Sequence, residues 1–199
     1  MGLGALVIGN GESRSAINLS EFSKDYVTVG CNAIHRDFMV DHLVCCDARM
    51  VREALENPST DNSRIYVRED WHQYFRKILK NKHVQLVPKI PYQGTKRPDN
   101  PIHWGSGPYA VLVAAGLETD SVSLLGFDLY GNQSLVNNIY KDTNNYKGSQ
   151  TSAVDPSYWI YQISKVFDSF PDTTFNIINK PFWKMPLEWQ KNNVKRVDI

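Results

Sequence analysis

The sequence contains no apolar run approaching the roughly 18 residues that cross a bilayer. Its first residues pass straight into strand-like sequence, without a charged region or a cleavage site. A cytoplasmic chain with no membrane span is therefore expected. Cysteine is scarce: Cys31, Cys45 and Cys46 are odd in number and lack a C-x-x-C spacing. That pattern disfavours a disulfide framework or a metal or redox site and suits reduced thiols in the core. Charge of one sign is not in excess. The 22 basic and 21 acidic side chains nearly cancel, which disfavours nucleic acid or a membrane surface as partner. Complete nucleotide-binding motifs are missing too. No Gly-Lys-Ser/Thr follows Gly9-Asn10-Gly11, and Arg14 stands three after Gly11, where the dinucleotide fingerprint needs glycine. An obvious P-loop kinase and an obvious dehydrogenase are excluded.

What is present is a regular alternation of short β-rich runs with helical ones. A length of 199 residues suits one domain with an ample core. Strands are expected at Ala5–Ile8, Tyr26–Val29, His42–Cys46, Arg64–Val67, Val84–Val87, Ser121–Leu125 and Phe175–Ile178. One or two helical turns fit Glu12–Leu19, and longer helices fit Ala48–Leu55, Trp71–Leu79 and the run from Ser106 to Gly116. In the last of these, Ser106 can accept from the first-turn N–H groups, Pro108 falls where a missing N–H costs little, and Gly116 ends the helix. Between them Tyr109–Ala115 is almost wholly apolar, so the helix is buried. Asp155 is expected to cap a further helix with Pro156 at its first position and Trp159, Ile160, Ile163 and Phe167 on one face. The pattern predicts an α/β fold, a mainly parallel sheet with helices on both faces.

Chemistry concentrates where the strands end. Asn10, Asn32 and Asp47 each follow a strand, and Ser106 and Asp128 would join them at the carboxyl edge, where open α/β sheets hold ligands. Gly9-Asn10-Gly11 and Gly105-Ser106-Gly107 let backbone N–H groups approach a phosphate without an intervening side chain. Residues 88–103, rich in Pro, Gly and charge, read as an ordered excursion or a flap, and the polar stretch 132–152 as a lid. That lid carries Tyr140, Lys141, Tyr146 and Lys147, which could order around a ligand. The tail from Lys180 interleaves Phe182, Trp183 and Trp189 with bases. Stacking on nucleic acid is the weaker reading, and docking on the body or on a second copy the stronger.

V-I-G-N-G-E-S at 7–13, G-C-N-A at 30–33 and S-G-P-Y-A-V-L-V-A-A-G-L…V-S-L-L-G-F-D-L-Y-G-N at 106–132 resemble the bacterial sialyltransferases of glycosyltransferase family 42. That family carries a G-N-G-P-S turn, an R/G-C-N-Q segment and a T-S-G-V-Y…A-L-G…I-Y-L-S-G-I-D-F-Y-Q-N block in the same order. The stretch 105–127 is also similar to the small motif of animal sialyltransferases. The match covers about half the chain, residues 3–47 and 104–155.

The resemblance implies a Rossmann-like domain over 1–179, lid included, followed by the tail 180–199. It implies binding of a CMP-linked sugar, no metal or other cofactor, and transfer with inversion to a glycan or other hydroxyl acceptor. By the resemblance Asn10, Asn32, Ser106 and Gly107 would meet the nucleotide sugar and Tyr130 would donate to the leaving phosphate; Gly9, Gly11 and Asp47 join them from the strand-end reading. A phenol is suited to that role because it stabilises developing negative charge where no cation is bound. The family's second phosphate tyrosine falls on Val136, with Tyr140 the nearest substitute. Its H-Y-I-G-H-S segment resembles Asn145-Tyr146-Lys147-Gly148-Ser149-Gln150, which brings Tyr146 into the expected site and puts Ser149 at the position of the catalytic histidine.

Serine is no general base near neutral pH without a partner. Either Asp128, His103 or His35 takes the proton, or the donor or acceptor differs, or the chain binds a nucleotide without turnover. Two rival readings stand beside this one. A pterin-type diphosphokinase has a G-x-G-P-S-L turn like residues 9–14, and would need Mg²⁺ and carboxylates. A non-catalytic assembly protein, a homo-oligomer through Phe182, Trp183 and Trp189, would keep the fold alone.

Overall fold

The computed structural model describes residues 4–76 and 82–199. Eight strands form one all-parallel sheet in the order β5-β4-β3-β2-β1-β6-β7-β8. They are β1 Gly4–Ile8, β2 Tyr26–Cys31, β3 His42–Cys45, β4 Arg64–Val67, β5 His83–Leu86, β6 Ser121–Leu125, β7 Thr174–Asn179 and β8 Val194–Asp198. The helices are α1 Leu19–Phe22, α2 Ala48–Glu56, α3 Glu69–Phe75, α4 Ser106–Ala115 and α5 Ser157–Ser169. This is a single Rossmann-like α/β domain. The chain steps outward from β1 to β5, then returns across β1 to build β6, β7 and β8 on the other side. The order reverses between β1 and β6, which places the crevice of such a sheet at their carboxyl ends.

Central strands read as continuous apolar runs because both faces are covered. In β1, Ala5 and Val7 belong to a core shared with α4, α5 and Trp189, whereas Leu6 and Ile8 belong to one shared with α2 and α3. α4 is covered all round: of its ten residues only Gly107 is not buried. The thiols Cys31, Cys45 and Cys46 are free and buried, and burial pushes Cys31 and Cys46 up to about 12, so neither is a thiolate near neutral pH.

Several boundaries differ from expectation. α3 begins earlier than Trp71, and its expected end at Leu79 lies outside the described residues. α5 starts at Ser157, one residue past Pro156, although Asp155 still accepts from the Ser157 N–H at 2.9 Å. The excursion 88–103 is ordered by 3-10 turns at Arg97–Asp99 and Pro101–His103, and the buried Gln162 of α5 holds the carbonyls of Pro98 and His103 at 3.0 and 3.1 Å. The tail contains a strand that the charged run Val194–Asp198 does not advertise. β8 pairs with β7 from Phe175–Val194 to Asn179–Asp198 and, as an edge strand, leaves four of its five side chains exposed. Trp189 is fully buried, Trp183 donates its indole N–H to the Asp128 carbonyl at 2.8 Å, and Phe182 stands 95% exposed.

Candidate functional site

The site begins where β1 and β6 end side by side. Past β1 the backbone keeps to its neighbour, with Gly9 N–H donating to the Leu125 carbonyl and Gly11 N–H to the Gly126 carbonyl, both at 2.8 Å. The contact is too close for side chains. A Cβ on Gly9 would lie 2.5 Å from the Gly126 oxygen, and one on Gly11 would overlap the Asp128 carboxyl group. The buried Arg14 then fastens the turn, donating from Nε to the Gly9 carbonyl at 2.7 Å and from Nη2 to the Tyr140 hydroxyl at 3.0 Å. Asp128 works in the same joint. Its carboxylate accepts from the Ser13 backbone at 2.9 Å and from the Ser13 hydroxyl, with Asn179 Nδ2 at 3.5 Å. Asp128 is thus a buried strut between two strand-end loops, its oxygens already engaged.

Ser106 does not cap its own helix as expected. Gly105 occupies the N-cap, and the Ser106 hydroxyl instead accepts from the Cys46 N–H at 2.9 Å and donates to Asn32 Oδ1 at 2.7 Å. Ser106 faces the sheet edge, so its short side chain meets the orphaned groups after β3 and β2 before it can fold back. Asn32 reaches this geometry with φ +53°, a left-handed conformation that asparagine tolerates better than most residues. Without a side-chain cap, the first turn of α4 opens on the space in front of it. Leu129 is also left-handed, at φ +65°, in a tight turn closed by Tyr130 N–H on the Asp128 carbonyl at 2.7 Å. A branched side chain held at positive φ is strain of the kind that collects at ligand sites. Here it presents Tyr130.

These walls enclose a cavity of about 640 Å³ at the carboxyl edge of the sheet. Gly9, Asn10, Gly11 and Asn32 line it, as do Ser106 and Gly107. Asp47, His103, Asp128, Tyr130 and Tyr146 complete the expected residues found there. Asp47 stands at the rim as the N-cap of α2, accepting from the Arg49 N–H at 2.9 Å. Tyr140 is not on the wall. Its hydroxyl is held between Arg14 and Asp37 in the core behind the lid, where it supports the lid. His35 and Ser149 lie off the wall as well. His35 Nδ1 donates to the Asn32 carbonyl at 2.9 Å, and the Ser149 N–H donates to Asp142 at 2.8 Å. Asn10 joins floor to lid through Nδ2 on the Tyr146 hydroxyl at 3.2 Å, while its Oδ1 is buried without a partner among the described residues. Burial pushes the Tyr146 phenol far above its ordinary value, and burial with the nearby Glu188 raises Tyr130, so both are neutral donors near pH 7.

The lid is folded down. Ile139 N–H donates to the Asn10 carbonyl at 2.9 Å, Glu12 N–H to Asn137 Oδ1 at 2.8 Å, and Lys141 is paired with Glu12. Its outer edge is latched by Arg36, which grips Glu53 with two nitrogens at 2.5 and 2.7 Å, Thr143 Oγ1 at 2.8 Å and the Asn144 carbonyl at 2.9 Å. The fork on Arg36 holds the Glu53 carboxyl below its ordinary 4.5. Burial likewise lowers His35, beside Glu53, below 6.5. Both shifts have the same sign. The latch and its surroundings contribute most above pH 6.5, weaken as the unfolded chain takes a proton on His35 below that value, and weaken again as acid reaches Glu53 below 4.5. Arg36→Met should therefore speed amide exchange over residues 140–146 about tenfold or more at pH 7, with β1 and β6 unchanged. In the native protein, protection of the same amides relative to their intrinsic exchange should fall as pH drops well below 4.5.

Arg68, Asn137, Asn138, Val154 and Trp159, which are not among the residues expected from sequence, are also on the wall. Arg68 was within reach of the rule that singled out Asn10 and Asn32, since it follows β4 directly. Trp159 carried no such signal, because its spacing on α5 is that of a core residue. Among the described residues no group of three or more His, Cys, Asp and Glu side chains could hold a metal ion, and no helix is long and apolar enough to cross a membrane. Comparison with protein-family models, curated proteins and solved structures found no match for the chain.

Proposed function

We propose that the chain binds a nucleotide-linked sugar in this cavity, a CMP-linked one first among them, and acts as a metal-independent, inverting, sialyltransferase-like glycosyltransferase. One observation carries the reading. Residues that motif resemblance assigns to a single ligand, drawn from Asn10 to Tyr146, line one cavity at the reversal point of a parallel sheet. The unpartnered Asn10 Oδ1 suits an amino or hydroxyl donor on the ligand. Gly107 lies in the first turn of α4, where backbone N–H groups have no partner within the helix and can meet a phosphate, whereas the Gly9 and Gly11 N–H groups are spent on Leu125 and Gly126.

As the bond between the anomeric carbon and the phosphate oxygen breaks, the neutral Tyr130 phenol donates a hydrogen bond to the departing phosphate. The acceptor hydroxyl attacks the opposite face of that carbon and loses its proton to a base. Ser149 and His35 lie off the wall, and Asp128 is engaged by Ser13. His103 is the imidazole on the wall and takes that role. The diphosphokinase reading is weaker on the same geometry. Its Mg²⁺ would need the cavity's carboxylates, and Asp47 caps α2 while Asp128 braces Ser13. A binder without turnover keeps a foothold, because the position that resemblance assigns to the catalytic histidine is Ser149.

Isothermal titration with CMP, CDP, UDP and GDP tests the reading: CMP or CDP should bind tightest, and silence from all of them would sink it. With a donor and acceptor identified, His103→Ala should lower turnover by a factor of about 10² to 10⁴ while leaving CMP affinity nearly unchanged. A protein that binds CMP and shows the same turnover in both forms would remove His103 from the mechanism.

A further inference from the structure

Few positive charges line the cavity, and most nearby are already committed. Arg68 holds Asp70 in a fork at 3.1 and 2.6 Å, donates its third nitrogen to the Ile102 carbonyl at 3.2 Å and lies over the Trp71 ring. It ties the end of β4 to the loop that carries His103. Lys141, the neighbouring lid lysine, is paired with Glu12, and Arg36 with Glu53. Lys147 differs from all of these. It is on the cavity wall and exposed, and among the described residues its ammonium has neither an ion pair nor a hydrogen bond.

The backbone that carries Lys147 is nonetheless well held. Asp142 N–H donates to the Lys147 carbonyl at 3.1 Å, the preceding Tyr146 is anchored to Asn10, and Thr151 N–H donates to the Gly148 carbonyl at 2.9 Å. The cavity's own carboxylates do not neutralise it, since Asp47 faces Arg49 and Asp128 faces Ser13. An ordered lid thus presents an uncompensated ammonium to a cavity that is also lined by Gly105, Ser106 and Gly107 at the start of α4.

We infer that Lys147 is the anion-binding residue of the cavity, brought there by the lid, and that the ligand places a phosphate against it. This deepens the nucleotide reading and rests on it for the identity of the ligand. A lysine is a point charge that needs no fixed planar partner, so its flexible stem can reach a phosphate from the folded lid.

The test compares CMP with cytidine, which lacks the phosphate, by titration against the native protein, Lys147→Gln and Lys147→Arg. The CMP dissociation constant should rise about tenfold in Lys147→Gln, the cytidine constant should stay unchanged, and Lys147→Arg should recover most of the loss. The dependence of CMP affinity on salt should also flatten in Lys147→Gln. Equal weakening of both ligands, or of neither, overturns the inference and leaves the nucleotide reading standing. If the native protein binds no nucleotide, that reading falls instead, and pyrophosphate decides the lysine. A higher thermal midpoint with millimolar pyrophosphate in the native protein but not in Lys147→Gln keeps the anion site; no difference between them removes it.

Discussion

Gly9→Ala is expected to destabilise the protein by about 3 kcal/mol, the upper part of the range for overpacking, and to abolish ligand binding. The added methyl would sit 2.5 Å from the Gly126 oxygen and 3.0 Å from its carbonyl carbon. Neither atom belongs to a flexible side chain. Gly126 is itself held at φ +74°, with the Gly11 N–H on its carbonyl, so it cannot swing aside without releasing that bond. Relief requires the ends of β1 and β6 to part, which also loosens the Arg14 bond to the Gly9 carbonyl. Urea unfolding should show the loss with little change in slope. Gly107→Ala is the control for stability, because its methyl would meet only Phe127 at 3.6 Å, an ordinary contact. Equal stability of Gly9→Ala and the native protein would mean that the two strand ends are not in contact in solution.

Trp189→Ala should cost about 4 kcal/mol and lower the thermal midpoint by roughly 10 °C for a domain of this size. The ring is 0% exposed, stands edge-on to Phe167 with centroids 5.5 Å apart, adjoins Trp183 and donates Nε1–H to the Ile160 carbonyl at 2.9 Å. Its removal leaves a cavity between α5 and the tail that the surrounding rings are too rigid to fill. Phe182→Ala, seven positions earlier and almost fully exposed, should change stability by less than about 0.5 kcal/mol. The contrast bears on how the tail is tested. Deleting residues 180–199 would strip Trp183, Trp189 and β8 from the core and sheet at once, so a loss of assembly in that deletion would report a damaged fold. Phe182→Ala probes association without that confusion.

The central half of the fold was legible because parallel strands buried on both faces leave unbroken apolar runs, as in Ala5–Ile8 and Ser121–Leu125. Polar residues directly after those runs mark the carboxyl edge of the sheet, and Asn10, Asn32 and Asp47, selected by that rule, line the cavity there. Edge strands obey weaker constraints. β8 is exposed and charged, with Lys195, Arg196 and Asp198 in five residues, so nothing in its periodicity separates it from a loop. Boundaries of α3 and α5 shifted because helix ends are set by local hydrogen bonds that compete over one or two residues.

Within the site, residue type and position along the chain were enough to select Asn10, Asn32, Ser106, Tyr130 and Tyr146, since each lies just past a strand, at a helix start or on the polar lid. Their partners were decided only in three dimensions. Ser106 had a choice between its own helix and the groups left open after β2 and β3, and packing of α4 against the sheet settled it. Asp128 looked like a free carboxylate until Ser13, 115 positions away, was folded against it. Tyr140 looked like a ligand contact until Arg14 and Asp37 enclosed its hydroxyl. Sequence by itself determined the layered α/β architecture and the edge at which polar residues gather, because burial and turn chemistry act over a few residues. Which of those polar groups are used up inside the protein and which stay open to a ligand was decided by tertiary structure alone, because hydrogen-bond partners more than 100 residues apart leave no trace in local pattern.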